Sequence, residues 1–173
     1  ELPEVARPLI PRRWERIASM TISYGHGLSV TPVHASAAIA AAAGDGIYRQ
    51  PTLLKKSPDD THLETRIFSK DTAKTVRSMM LLVVSHKDGT GNFADAPGYL
   101  VGGKTGTAEK IKDKGYDKKA NMVSFVGAFP SHDPAYLLFI MVDEPKGQKQ
   151  SYGYATAGWV AAPAMRRIVE KIA

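Results

Sequence analysis

A lysine, two threonines and several glycines stand together near the middle of the chain, in the segment 102–107 (GGKTGT). The lysine offers a positive charge and the threonines offer hydroxyl donors, and both suit an anionic substrate. The same letters fit two chemistries. Counted from Lys104, Lys-Thr-Gly-Thr on a strand is typical of serine acyl transferases that hold a substrate carboxylate. Counted from Gly98, the sequence GYLVGGKT fits the phosphate-loop pattern G-x-x-x-x-G-K-[ST].

The phosphate-loop alternative gains some support from the stretch FIMVDE at 139–144. An apolar strand that ends in carboxylates can hold the magnesium ion of a nucleotide hydrolase. The segment 99–101 (YLV) argues against it, because a phosphate cradle needs a loop whose backbone N–H groups converge. The lysine and threonine should also open a helix, yet Gly106 follows at once. The pattern therefore favours a carboxylate-binding strand, with a nucleotide hydrolase as the alternative.

The whole chain has the size and composition of one domain, or of a large piece of one. It has 173 residues, 43% of them hydrophobic, and a net charge of +6. The lysines concentrated between positions 104 and 119 indicate a solvated basic loop. They are not interleaved with aromatic residues, so nucleic-acid binding has no support. The absence of cysteine excludes disulfides, thiolate zinc sites and a cysteine nucleophile.

Three helices are predicted around this strand. Thr31 and Pro32 form a good helix start, and the alanine-rich run that follows should end at Gly44. A second helix should span 69–86, with an apolar face at helical spacing. The last should span 155–172, where Pro163 must either kink the helix or mark its first turn. The segments 14–24 and 44–68 show no comparable pattern, and the second is predicted to be mostly loop.

Three strands are predicted between the second and last helices, at 99–108, 121–129 and 135–142. The polar segment 109–120 is expected to be an excursion between the first two. The short turn at 130–134 implies an antiparallel hairpin of the last two strands. This order predicts an α+β fold, a three-strand antiparallel unit packed with helices and covered by the C-terminal helix.

Several further segments occur in a fixed order along the chain. They are GHGLSVTP from Gly25, GDG from Gly44, DGTG from Asp88, APGYLVGGKTGTAE from Ala96, SFVGAFP from Ser124, VDEP from Val142 and AAP from Ala161. Together they resemble the class B penicillin-binding proteins, the monofunctional peptidoglycan D,D-transpeptidases. The resemblance covers most of the chain from Tyr24 onward, and it implies part of a serine β-lactamase/transpeptidase-like fold.

The resemblance also assigns roles along the lysine strand. It implies that Lys104, Thr105 and Thr107 line a cleft. There they would bind the carboxylate of a stem peptide ending in D-Ala-D-Ala, or of a β-lactam that mimics it. The backbone N–H of Thr107 would supply half of an oxyanion hole, and Gly106 would leave room for the substrate. Thr90 and Tyr99 match the family pattern without an assigned chemistry.

The nucleophile of that family comes from a Ser-x-x-Lys motif, and no serine of this chain has lysine three positions later. The Ser-x-Asn motif is absent as well. We therefore expect residues 15–173 to be the C-terminal portion of a transpeptidase domain that follows an extended connector at 1–14. The portion with the nucleophile would lie upstream, and this chain alone would be inactive. A transpeptidase-like domain kept only for binding is a further alternative.

Partners and location follow from the same resemblance. It implies a bacterial inner-membrane protein whose catalytic domain faces the periplasm or outer side, with the missing part of the domain as one partner. An exposed sheet edge could also cause self-association of the chain. No cofactor is expected. The histidines show no spacing for metal ligation, so no metal is expected either; they are His26, His34, His62, His86 and His132.

Overall fold

Helices and two antiparallel sheets make up the part of the chain that a computed structural model describes, residues 6–55, 57, 64–112 and 115–172. The helices are α1 (Arg16–Ser23), α2 (Pro32–Ala43), α3 (Lys70–Ser85) and α4 (Ala157–Ile172). The strands are β1 (Ile47–Arg49), β2 (Glu64–Arg66), β3 (Gly102–Lys112), β4 (Gly115–Phe129) and β5 (Tyr136–Asp143). The α+β class is confirmed. Among the described residues no helix is long and apolar enough to cross a bilayer.

Helix α2 begins where the sequence predicts. The Thr31 hydroxyl accepts a hydrogen bond from the backbone N–H of His34 at 3.2 Å, and Pro32 occupies the first helical position. The threonine satisfies one of the N–H groups that a helix start leaves without an intrahelical partner. The helix ends at Gly44, as predicted.

Helix α3 is also confirmed, with a serine cap at its start. Ser69 accepts a hydrogen bond from the backbone N–H of Thr72 at 3.0 Å. The predicted apolar face buries Ala73, Met80 and Val84, which recur at helical spacing. This helix therefore packs one side against the sheet and exposes the other.

The larger sheet has the order β3-β4-β5, and both pairs are antiparallel. The predicted hairpin of the last two strands is confirmed. The expectation of a polar excursion at 109–120 is wrong, because β3 and β4 continue through it as a long ribbon. Backbone pairing satisfies the N–H and C=O groups of such a ribbon even where its side chains are polar. The pairing shifts register between Glu109 and Lys110.

The two faces of this sheet pack against different helices. Phe125 and Phe129 of β4 lie in one buried cluster with Met165 and Val169 of α4. Ala128, on the opposite face by strand alternation, packs in a second cluster with residues of α2 and α3. The prediction that the C-terminal helix covers the sheet is confirmed. Pro163 lies inside α4, so the suggestion that it marks the first turn is wrong.

Three elements appear where no element is predicted. Helix α1 buries none of its residues and has no side-chain cap hydrogen bond at its start, so it lacks the cap that marks α2 and α3. Strands β1 and β2 form a small antiparallel sheet within the predicted loop at 44–68, and that part of the prediction is wrong. The connector predicted at 1–14 has no helix or strand in its described residues, apart from an isolated bridge between Leu9 and Ser29.

An ion-pair network holds the small sheet to the end of α2. Arg49 of β1 donates hydrogen bonds to Asp45 at 3.0 Å and to Glu64 of β2 at 2.8 Å. The hydrogen bond from Arg49 lowers the pKa of the Asp45 carboxyl to about 2. The same contacts raise the pKa of the arginine. These charges are largely exposed, so they fix geometry more than they add stability.

Candidate active site

The predicted site residues lie on β3, the edge strand of the larger sheet. Within the described part of the chain, β3 pairs with β4 only, and this pairing places Lys104 opposite Val126 and Thr105 opposite Phe125. Strand alternation puts Thr105 and Thr107 on one face and Lys104 on the other. The opposite edge of β3 is therefore the side from which an extended substrate can approach these side chains.

The Lys104 side chain bends back along the strand. Its ammonium group donates to the carbonyl oxygen of Thr105 at 2.7 Å and reaches the Thr105 hydroxyl oxygen at 3.4 Å. Thr105 is half-buried, and its hydroxyl also lies 3.0 Å from that of Thr90. A charged donor and two hydroxyls thus meet at one point on the exposed strand.

Thr107 connects β3 to helix α4. Its hydroxyl accepts a hydrogen bond from the backbone N–H of Ala157, the first residue of α4, at 3.3 Å. The first N–H groups of a helix have no intrahelical partner and carry a partial positive charge. Thr107 therefore anchors this electropositive helix end beside the lysine strand.

A cavity of about 480 Å³ lies between β3 and the start of α4. Its walls come from three separate parts of the chain, and its lining residues are Gly89, Thr90, Asn92, Phe93, Thr105, Thr107, Thr156, Ala157, Gly158 and Trp159. Thr105 and Thr107 line it as the resemblance implies, whereas Lys104 and Gly106 do not. Hydroxyl groups, a helix start and aromatic rings together suit a small anion with an apolar body.

Sequence reasoning missed the lining residues from α4. The segment 156–159 shows no chemical motif, and only its packing against β3 brings it to the cavity. Thr90 belongs to the DGTG segment of the family pattern, so its presence in the site could have been expected from the sequence. The pattern assigned no chemical role to it. The rings of Phe93 and Trp159 lie with their centroids 4.8 Å apart and their planes tilted by 45°, and they form the aromatic part of the wall.

Gly106 has a structural role beside the one that the resemblance implies. A Cβ atom at this position would lie 2.6 Å from the hydroxyl oxygen of Ser124 on the paired strand. Any side chain there would displace Ser124. The glycine thus keeps β3 and β4 close at the level of the site.

Lys110, beyond the register shift, ties β3 to the end of β5. Its ammonium group lies 3.1 Å from a carboxylate oxygen of Asp143 and 2.9 Å from one of Glu144. The hydrogen bonds that Lys110 donates to these carboxylates, the one to Glu144 first, raise the pKa of the lysine. This lysine is therefore paired within the sheet.

Metal chemistry and a phosphate loop gain no support from this geometry. Among the residues that the structure describes, no group of three or more His, Asp or Glu side chains could hold a metal ion. Lys104 and Thr105 lie inside a strand and not at a helix start, and the sheet is antiparallel. The alternative of a nucleotide hydrolase therefore has no support.

Comparison with protein families gives a match over nearly the whole chain. Residues 1–170 match the model described as the penicillin binding protein transpeptidase domain. The chain is 39% identical over 180 residues to the probable peptidoglycan D,D-transpeptidase FtsI of Caulobacter vibrioides, which covers 100% of this chain and 31% of that protein. It is 37% identical to the stage V sporulation protein D of Bacillus subtilis, over 88% of this chain and 24% of that protein.

Solved structures agree with this match. The apo transpeptidase domain of penicillin-binding protein 3 from Burkholderia pseudomallei has a TM-score of 0.81 and 39% identity, covering 92% of this chain and 46% of that one. Penicillin-binding protein 3 of Mycobacterium tuberculosis, complexed with ampicillin, has a TM-score of 0.81 and 30% identity, covering 98% and 40%. The chain thus spans less than half of these solved chains and about a third or less of the curated relatives described above.

Proposed function

The chain belongs to the penicillin-binding protein transpeptidase domain family, and on that premise we propose that it forms the substrate-gripping part of a bacterial peptidoglycan D,D-transpeptidase. The observation that carries this proposal is the position of Lys104, Thr105 and Thr107. They lie on a strand edge beside a cavity lined by hydroxyls and a helix start. Such a site suits a peptide that ends in a carboxylate.

In this proposal the lysine strand binds the C-terminal carboxylate of the stem peptide. A carboxylate only accepts hydrogen bonds, and Lys104, Thr105 and Thr107 supply donors with charge assistance from the ammonium group. The stem peptide can lie along the free edge of β3, where backbone groups add hydrogen bonds to those of the side chains. The clamp fixes the scissile bond relative to the strand.

The chemical step is acyl transfer through a serine. The serine oxygen forms a bond to the carbonyl carbon of the penultimate residue, and the terminal D-Ala leaves as an amine that takes up a proton. An amine of a second stem peptide then displaces the serine and forms the cross-link. We assign the backbone N–H of Thr107 as one donor to the oxyanion that forms transiently.

The attacking serine, in this proposal, belongs to a part of the protein outside this chain. The support is the sequence itself, in which no serine has a lysine three positions later. Exposed apolar side chains on the α1 side are consistent with a further part of the domain packing there; they are Leu9, Ile10, Trp14, Ile17, Met20 and Tyr24. We also propose, from family membership, an inner-membrane protein whose domain faces outward from the cytoplasm.

β-Lactams are proposed as ligands of the same clamp. Penicillins carry a carboxylate next to a reactive amide, and monobactams carry a sulfonate there, so Lys104 and the threonines can hold either anion as they hold the stem peptide. Penicillin-binding protein 3 of Mycobacterium tuberculosis has been solved in complex with ampicillin and with aztreonam. That protein supports the proposal by its similarity to this chain.

Labelling with a fluorescent penicillin tests the proposed function. The full-length gene product that contains this chain is mixed with the probe and run on a denaturing gel, with the 173-residue chain alone as the matched sample. We expect a covalent band for the full-length protein and none for the chain alone. A band on the chain alone would place a nucleophile inside it, and no band on either would favour a binding domain without acyl transfer.

A further inference from the structure

Thr90 is an exposed residue whose backbone lies between two helices at the candidate site. It follows helix α3 in a short turn, where the backbone N–H of Gly91 donates to the carbonyl of Val83 at 3.0 Å. On the other side its carbonyl oxygen meets the first turn of α4, where a Cβ atom at Gly158 would lie 2.6 Å from it. Only glycine permits this approach. The Thr90 backbone is therefore fixed between α3 and α4.

The Thr90 side chain points toward the lysine strand. Its hydroxyl oxygen lies 3.0 Å from that of Thr105, and among the described residues this is its one side-chain partner. Thr90 also lines the cavity together with Thr105. Its position lets it act on Thr105 through one hydrogen bond.

Hydrogen-bond counting at Thr105 leaves two arrangements. A threonine hydroxyl has one proton and two acceptor lone pairs, and an ammonium group can only donate. Lys104 reaches the Thr105 oxygen at 3.4 Å and so uses one lone pair. If Thr105 donates to Thr90, the Thr105 proton is not available to a substrate. If Thr90 instead donates to Thr105, both lone pairs of the Thr105 oxygen are filled, and the Thr105 proton can be donated to another group.

We propose that Thr90 is a positioning residue that donates to Thr105 and so directs the Thr105 proton to the substrate carboxylate. This inference rests on the proposed function, because it needs a carboxylate at the clamp. A carboxylate accepts only, so its arrival selects the arrangement in which Thr90 donates. In such a chain of hydrogen bonds, the bond from Thr90 to Thr105 polarises the bond from Thr105 to the charged carboxylate and so strengthens it. Thr90 need not touch the substrate.

The test uses the full-length protein and two probes, a fluorescent penicillin and its methyl ester. Thr90→Val removes the hydroxyl with little change of shape, and Thr90→Ser keeps it. Thr75→Val is the matched control, because Thr75 lies on an exposed part of α3 and its hydroxyl donates to the carbonyl of Asp71 in the preceding turn. The second-order acylation rate constant is measured for each protein and each probe.

We expect Thr90→Val to lower the rate with the free acid about fivefold to tenfold, the usual effect of one net hydrogen bond, and to leave the ester rate unchanged. Thr90→Ser should restore most of the loss, and Thr75→Val should match the wild type. The ratio of acid to ester rates is internal to each preparation, so a partly unfolded variant does not distort it. In a Thr105→Val background, Thr90→Val should have no further effect, since its target hydroxyl is gone.

Three results would overturn the inference while leaving the proposed function intact. These are an equal loss with both probes, no rescue by Thr90→Ser, and an undiminished effect of Thr90→Val in the Thr105→Val background. Failure of the wild-type protein to acylate with the free acid would instead overturn the proposed function, and the inference with it.

Discussion

In the proposed function Lys104 supplies the positive charge of the clamp, and its ammonium group contacts the carbonyl and hydroxyl oxygens of the neighbouring Thr105. Both contacts are exposed, so they hold the side chain near the strand without burying its charge. When a carboxylate binds, the same ammonium group can turn to it at little cost. At the scale of single residues, the proposed clamp therefore has a lysine whose charge stays accessible beside the strand.

Replacing this lysine tests the charge directly. Lys104→Met keeps the length of the side chain and removes the ammonium group. We expect the acylation rate constant of the full-length protein with a fluorescent penicillin to fall about 10- to 100-fold, the value of a hydrogen bond to a charged group. Lys74→Met, on the exposed face of α3, is the matched control and should change nothing. An unchanged rate in Lys104→Met would remove Lys104 from the clamp.

At the scale of elements, the sequence predicts those that carry a local signal. Caps at Thr31 and Ser69 mark the starts of α2 and α3, and the apolar run of β5 marks a strand. Helix α1 lacks both a side-chain cap and a buried face, so neither signal exists for it. Strands β1 and β2 pair residues far apart in sequence, such as Arg49 with Glu64, which no local pattern reveals.

The candidate site likewise contains residues that a local sequence pattern predicts and residues that it does not. The residues on β3 can be predicted, because Lys-Thr-Gly-Thr is a continuous pattern within one strand. The cavity wall from α4 cannot, because it is close to β3 only after the helix has packed across the sheet. The Thr107 hydroxyl bound to the N–H of Ala157 is one such contact, and it joins residues that are far apart along the chain.

The ion-pair network of the small sheet makes a prediction about pH. Arg49 holds the pKa of Asp45 near 2, below its ordinary value of 3.8. The ion pair therefore stabilises the folded state in full at pH values above 3.8. The stabilisation is lost as the pH falls toward 2, and at this exposed site it amounts to less than about 1 kcal/mol. We expect Arg49→Met to raise the Asp45 midpoint toward 3.8 in an NMR titration of its carboxyl carbon.

A matched pair elsewhere supplies the control for this titration. Arg166 and Glu170 form a similarly exposed ion pair on α4, so Arg166→Met should leave the Asp45 midpoint where it is. An Asp45 midpoint that stays near 2 in Arg49→Met would mean that another group lowers it.

At the scale of the whole molecule, apolar surface is distributed unevenly. The sheet is covered on both faces, by α4 on one and by α2 and α3 on the other. Among the described residues nothing comparable covers the α1 side, where Trp14, Ile17 and Met20 are 61%, 71% and 58% exposed. Exposed apolar surface of this kind is typical of a face that binds another protein segment, a membrane or a ligand.

We therefore predict that the chain alone self-associates and binds a hydrophobic dye. Sedimentation in dilute solution should show dimers or larger species. Ile17→Lys combined with Met20→Lys should reduce both effects, since these residues lie three apart on one face of α1. Ser19→Lys on the same helix is the control and should reduce neither. A compact monomer that binds no dye would contradict this prediction.

The register shift between Glu109 and Lys110 separates the long ribbon of β3 and β4 into two parts. Glu109 pairs with Asn121, whereas Lys110 pairs with Asp117, so residues 118–120 are absorbed at the irregularity. Register decides which face of a strand each side chain occupies. The irregularity separates the pairing of the outer ribbon from that of the part that contains Lys104 and Thr105. Residues gained or lost in the outer ribbon therefore change its reach without moving Lys104 or Thr105. We therefore expect the length of the outer ribbon to be independent of the geometry of the proposed clamp.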